Sequence, residues 1–145
     1  MLIKFKKIRE SAIIPEYKTS HSSGADVFAC LNEDMTIKPF EIKMVPTGLI
    51  IEIEPGFEVQ IRPRSGLASQ GITVANAPGT IDSDYRGEVN ILLINLGQQE
   101  FNIKHGFRIA QMIAAKTERA EFAEESNLSE TKRGSGGFGS TGISK

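Results

Sequence analysis

Leu49-Ile50-Ile51-Glu52-Ile53-Glu54-Pro55-Gly56-Phe57-Glu58-Val59-Gln60-Ile61-Arg62 decides the fold class of this chain. Leu49, Ile51 and Ile53 alternate toward one side. Phe57, Val59 and Ile61 resume the alternation, with Glu58, Gln60 and Arg62 pointing the other way. A period of two marks strands with one face on a core. Between the runs, Pro55 suits the second position of a turn and Gly56 the third, where φ is positive. The stretch therefore predicts a type II turn in a hairpin.

The same pattern continues on both sides. Ile3 and Phe5 alternate with Lys4 and Lys6 in an expected first strand. Val89 to Leu96 is almost continuously apolar, which suits a strand buried on both faces. Ile109 to Ala114 is a further strand. Turn signals recur at short intervals: Pro46-Thr47-Gly48, Ala77-Pro78-Gly79, Arg86-Gly87, Leu96-Gly97 and His105-Gly106. Short strands so punctuated predict an all-β sandwich or barrel. No long stretch has a helical period, and one helical turn is expected after Ser65, around Leu67 to Gln70. No internal repeat is present.

The chain has 145 residues, enough for one domain. With 39% apolar and 24% charged residues, a folded protein is expected. A formal net charge of −1 argues against nucleic-acid binding driven by phosphate attraction. No apolar run is long enough to span a bilayer, so no membrane partner is expected. Met1-Leu2-Ile3-Lys4-Phe5-Lys6-Lys7 lacks the apolar core of a signal peptide, which makes the cytoplasm the default location. Cys30 is the only cysteine, so no intrachain disulfide forms, and His21 and His105 are the only histidines. A structural zinc site would need nearly all of them, whereas a hard cation on oxygen ligands remains open.

Composition changes after Thr117. Glu118 to Glu130 is acidic and nearly free of large apolar groups. Five of the ten residues in Arg133-Gly134-Ser135-Gly136-Gly137-Phe138-Gly139-Ser140-Thr141-Gly142 are glycine. Such a segment cannot bury enough surface to stay folded alone. The chain thus divides into a body, 1–117, and a linker with a C-terminal arm, 118–145. Gly134, Gly136 and Gly139 match G-x-G-x-x-G, but no strand precedes them and no helix follows, so this is no dinucleotide fingerprint. Phe138 is the anomaly, an aromatic with no core to join.

Four segments carry residues with chemistry. Ser23-Gly24-Ala25-Asp26-Val27 sets an acid beside a glycine. Arg62-Pro63-Arg64-Ser65-Gly66-Leu67-Ala68 offers a guanidinium, a hydroxyl and a glycine at a possible helix start, a natural phosphate site. Asn76 to Val89 holds Asp82, Asp84, Tyr85, Arg86 and Glu88 in a hairpin-like stretch. The arm adds Arg133, Ser135 and Phe138. Taken singly, each has a plain reading: a turn acid, a solvated arginine, a polar loop tip, a disordered tail.

Their order resembles the five-motif pattern of the homotrimeric dUTPase family. Ser23-Gly24-Ala25-Asp26-Val27-Phe28-Ala29 looks like motif one, Pro63-Arg64-Ser65-Gly66-Leu67-Ala68 like motif two, and Asn76 through Glu88 like motif three. Gly106-Phe107-Arg108-Ile109-Ala110-Gln111-Met112 looks like motif four, and Arg133 through Gly142 like motif five. Val27 stands where Leu is usual and Ser23 where Ala is. Phe107 replaces a frequent acid, and that position carries no assigned role.

The resemblance implies a dUTP diphosphatase with a distorted jelly-roll or β-barrel fold and a flexible arm. It implies a homotrimer whose active sites are shared between chains, dUTP as substrate and Mg²⁺ as cofactor. Asp82 would activate the water that attacks the α-phosphorus. Asp26 and Gln111 would hold waters on Mg²⁺, with Gln111 also at the substrate. Arg64, Ser65 and Gly66 would serve the phosphates. Asn76 would bond the uracil, with backbone groups at Thr80, Ile81 and around Asn90, and Tyr85 would exclude a 2′-hydroxyl. Arg133 and Ser135 would take the γ-phosphate, with Gly137 beside them, and Phe138 would stack on uracil. A dCTP deaminase and a non-enzymatic dUTP-binding regulator share the wider fold. Tyr85, Asp82 and the complete arm favour hydrolysis of dUTP over both.

Overall fold

The computed structural model describes residues 1–140 and Gly142. Thr141 of the glycine-rich motif and residues 143–145 of the expected arm lie outside the described residues. The elements run β1 (Lys4–Lys7), β2 (Ala25–Phe28), β3 (Met35–Ile37), β4 (Ile42–Glu52), β5 (Phe57–Arg62), α1 (Ser65–Ala68), β6 (Ile72–Val74), β7 (Gly79–Ile81), β8 (Glu88–Asn95), β9 (Phe101–Ile103) and β10 (Arg108–Lys116). One antiparallel sheet has the order β1-β4-β8-β6 and a second β2-β10-β5-β7, while β3 and β9 form a separate ribbon. The fold is all-β, as expected, with open sheets rather than a closed barrel. Among the described residues, no helix is long and apolar enough to cross a membrane.

The alternation read from sequence places the core. Val45, Ile51, Ile91 and Leu93 of the first sheet and Val27, Val59, Ile61 and Met112 of the second are all buried in one cluster. Burial of each large aliphatic side chain contributes on the order of 2 kcal/mol, which is what holds the sheets face to face. Asn95 is one of three buried polar residues among those described, with Asp26 and Thr47. Its Nδ2 donates to the carbonyls of Ile37 at 3.0 Å and Gln99 at 2.7 Å, and its Oδ1 accepts from the Gly97 N–H at 2.9 Å. All its hydrogen-bonding groups are used, so its burial is tolerated.

The Leu49–Arg62 stretch corrects one expectation. The turn forms as read: Phe57 N–H donates to the Glu54 carbonyl at 3.2 Å, and Gly56 has φ +84°. The flanking strands do not pair as a hairpin. β4 pairs with β1 and β8, whereas β5 pairs with β10 and β7. The chain turns there from one sheet to the other, and Ile53 and Val59 meet the same core from opposite sides. Turn chemistry is local, but the choice of pairing partner is not.

β8 corrects a second. Val89, Ile91, Leu93 and Asn95 point inward, while Asn90, Leu92 and Ile94 are half-exposed. Across the pair, Ile42 faces Ile94, Met44 faces Leu92 and Pro46 faces Asn90. The continuous apolar run therefore describes a core face and an outward apolar face, rather than a strand buried on both sides within one chain. The helical turn lies at Ser65–Ala68, two residues earlier than expected.

A candidate active site in two halves

The first half lies on the outward face of the second sheet. In register across β2, β10 and β5, Asp26 faces Gln111 and Gln111 faces Arg62. Val27, the next residue along, points into the core, so the period of two alone aims Asp26 outward. Asp26 is nonetheless only 3% exposed. Arg64 Nε donates to its Oδ1 at 3.0 Å, and Arg108 Nη1 donates to its Oδ2 at 3.1 Å. Arg64 Nη1 also donates to the Arg108 carbonyl at 3.2 Å. Two guanidiniums against one carboxylate leave one positive charge, beside the exposed Ser65 and Gly66. That arrangement suits an anion.

Two glycines shape this half. A β-carbon on Gly24 would stand 3.2 Å from both Cβ and Oε1 of Gln111, so the glycine lets that amide lie against β2. A β-carbon on Gly66 would meet nothing within 4 Å. The space over α1 is open to a ligand.

The second half is a cleft of about 270 Å³ lined by Asn76, Thr80, Ile81, Asp82, Tyr85 and Asn90, with Val89 and Ile91 among its apolar walls. The segment from Asn76 to Val89 is not the hairpin that its composition suggests. β7 pairs with β5 in the second sheet, and β8 pairs with β4 and β6 in the first. The cleft takes residues from both sheets, where the chain crosses between them. Tyr85 N–H donates to the Asp82 carbonyl at 3.1 Å, which closes the loop, and Arg86 Nη1 donates to the Ser83 carbonyl at 2.7 Å. The Tyr85 hydroxyl donates to the Glu88 carbonyl at 3.1 Å.

The halves are separate within one chain. From β2 to β7 is three strand steps, about 14 Å at ~4.8 Å each. None of Asp26, Arg64, Ser65, Gly66 and Gln111 lines the cleft. Among the described residues, the arm joins neither half. Arg133 Nε donates to the Gly136 carbonyl at 2.8 Å, Ser135 and Gly137 lie in the same run of local turns, and Phe138 is fully exposed with φ +50°.

Among the described residues, no three His, Cys, Asp or Glu side chains converge on a point. The available donors are one carboxylate already engaged by two guanidiniums and a neutral amide. They fit a hard cation that keeps its own waters and is carried in by an anion, not a protein cage. Arg108 is the residue that sequence reasoning missed. It stands in motif four beside Phe107, but only the register of β2 against β10 brings it to Asp26.

A family model described as dUTPase matches residues 10–142. The deoxyuridine 5'-triphosphate nucleotidohydrolases of Rickettsia felis and Rickettsia prowazekii are each 57% identical over 143 residues, covering 97% of this chain and 97% of theirs. Among solved structures, the dUTPase of Staphylococcus bacteriophage 80alpha with dUpNHpp superposes with a TM-score of 0.88 at 23% identity, over 98% of this chain and 99% of that one. A dUTPase from phage phi11 of S. aureus, described with a structural Mg(II) ion, gives 0.79 at 19% identity, over 88% and 99%. At such low identity these structures speak to the fold, which they share nearly end to end.

Proposed function

The chain belongs to the dUTPase family, and on that premise we propose that it hydrolyses dUTP to dUMP and pyrophosphate. The observation that carries the reading is the cleft, which gathers Asn76, Thr80, Ile81, Asp82, Tyr85 and Asn90 around a space of nucleoside size. Uracil enters with Asn76 and the backbone around Thr80, Ile81 and Asn90 at its polar edge. Close walls exclude a 5-methyl group, and cytosine leaves buried partners unpaired because its position 4 reverses donor and acceptor. Tyr85 lies against the sugar and leaves no room for a 2′-hydroxyl.

Asp82 accepts a proton from water as the water oxygen bonds to the α-phosphorus. The bond from that phosphorus to the α–β bridging oxygen breaks, and pyrophosphate leaves. Ser65 and Gly66 bind the phosphates. Arg64, held at Asp26, adds positive charge beside them. Asp26 and Gln111 would hold waters of a bound Mg²⁺, whose charge would stabilise the triphosphate as negative charge develops. Arg133 and Ser135 take the γ-phosphate with Gly137 alongside, and Phe138 stacks on the uracil as the arm, 118–145, closes over the body, 1–117.

Two features support a homotrimer with shared sites. Asp26 stands three strand steps from β7, and none of its cluster lines the cleft, so the Asp26 half of one chain would complete the cleft of another. The outward row Ile42–Ile94, beside Met44 and Leu92 at the edge of the cleft, offers an apolar face to bury between copies. In the cytoplasm such an enzyme limits uracil in DNA and supplies dUMP for thymidylate synthesis. Product analysis of dUTP, dCTP, dTTP and UTP incubated separately with the purified chain and Mg²⁺ tests the reading. Pyrophosphate and dUMP from dUTP alone are expected; ammonia from dCTP, or binding of dUTP without turnover, would overturn it.

A further inference from the structure

Glu88 plays no part in the chemistry above, yet two polar side chains of the cleft, Tyr85 and Asn90, hang on it. Its carbonyl accepts from the Tyr85 hydroxyl at 3.1 Å and from Asn90 Nδ2 at 3.2 Å. Its carboxylate reaches across the sheet, where Oε1 accepts the N–H of Gly48 at 2.8 Å. Gly48 sits in a bulge of β4. The register runs from Pro46 opposite Asn90 to Ile50 opposite Glu88, four residue steps against two. Bulges re-aim a strand next to a site.

This bulge is firmly held. Gly48 has φ +69°, and a β-carbon there would come within 2.9 Å of both Ala12 Cβ and Cys30 Sγ. The Gly48 carbonyl accepts from Ile8 N–H at 2.9 Å. On the partner strand, the Val89 carbonyl accepts from the buried Thr47 hydroxyl at 2.6 Å. The start of β8 is thus tied to a buried, densely bonded piece of backbone, and the side-chain tie at its first residue is the Glu88 carboxylate.

We infer that Glu88 is a positioning residue for substrate selection. It fixes, against the Gly48 bulge, the one carbonyl that orients both the sugar-facing Tyr85 and the base-facing Asn90. The inference rests on the nucleotide reading of the cleft. Loss of the carboxylate leaves the Gly48 N–H without its acceptor and frees the start of β8 to shift, which loosens the sugar wall before it touches the reacting atoms. A glutamine keeps an acceptor oxygen at the same reach. A methionine keeps the bulk and removes the acceptor.

The test is steady-state kinetics on dUTP and on UTP, with Mg²⁺, for the full chain and its Glu88→Gln, Glu88→Met and Glu88→Ala variants. Glu88→Met should raise KM for dUTP about tenfold, change kcat by less than about threefold, and lower the dUTP-to-UTP ratio of kcat/KM about tenfold. Glu88→Gln should restore the ratio to within about threefold of the parent. If Glu88→Ala unfolds, Glu88→Met carries the comparison. An unchanged ratio in Glu88→Met, or equal losses on both substrates with no rescue by glutamine, would overturn the inference. A parent chain inactive on dUTP would instead strike the function on which it rests, and the two failures are told apart in the same assay.

Discussion

Tyr85 packs over Gly87 so closely that a β-carbon at position 87 would overlap the phenol oxygen. The absence of a side chain there is what lets the Tyr85 hydroxyl reach the Glu88 carbonyl at 3.1 Å. Gly87→Ala should therefore push the ring out of its place without disturbing the sheets. The expected outcome is a fall of roughly tenfold in discrimination between dUTP and UTP, and Tyr85→Ala should admit UTP at least as freely. Competition kinetics with the two nucleotides measures both. Full discrimination in both variants would mean that another group reads the sugar.

Asp82 lies on the cleft at the turn after β7, and its proposed role as base is tested by removing charge while keeping shape. Asp82→Asn should lower turnover of dUTP by roughly 10²–10⁴-fold and leave binding of a non-hydrolysable analogue close to normal. Calorimetry with the analogue, beside a turnover assay, separates the two. Near-normal turnover would remove Asp82 from the mechanism.

Asp26 holds Arg64 and Arg108 together, so replacing it leaves two guanidiniums facing each other over a buried gap. Asp26→Ala should cost about 2 kcal/mol in denaturant unfolding, below the ~3–5 kcal/mol of a fully buried pair. The discount arises because the Arg108 side chain is 44% exposed and solvent screens it. Turnover should fall as well, since Arg64 loses the partner that aims it. A variant of unchanged stability would show that the triad is a loose surface arrangement.

Assembly is tested through the outward face. Analytical ultracentrifugation should find a particle of three times 15.8 kDa. Ile94→Lys, opposite Ile42 on that face, should shift mass toward the single chain and lose turnover in parallel. An active monomer would contradict the shared site.

The arm is tested by deletion. Truncation after Lys132 removes Arg133, Ser135, Gly137 and Phe138 and touches no strand. The body should fold as before while most dUTP turnover is lost. Limited proteolysis should find the arm cut in the free protein and protected by a dUTP analogue with Mg²⁺, less so by dUMP, because ordering the arm costs on the order of 1 kcal/mol per residue and γ-phosphate contacts help to offset it. Normal turnover by the truncated chain would reduce the arm to a tail.

What the amino-acid sequence determined by itself was whatever depends on neighbours along the chain. The alternation of Leu49, Ile51 and Ile53, and of Phe57, Val59 and Ile61, sets which side of each strand is apolar, because a strand's side chains alternate whatever it pairs with. Pro55-Gly56 makes the turn for the same local reason, and the ordered motifs from Ser23 to Gly142 mark the family. β3, β6, β7 and β9 were not legible, since three residues are too few to display a period. Pairing lay beyond reach too. β4 and β5 read as a hairpin but joined different sheets, because partner choice depends on burying both apolar faces against each other, a property of the whole chain. The same holds for the site. Sequence named Asp26 and Arg64, but Arg108 joined them only through the register of β2 on β10, 82 positions apart. Only the tertiary structure placed Asp26 on β2 and the start of the Asp82 turn on β7, at opposite edges of one sheet. That distance is fixed by strand order, and no reading of neighbours along the chain contains it.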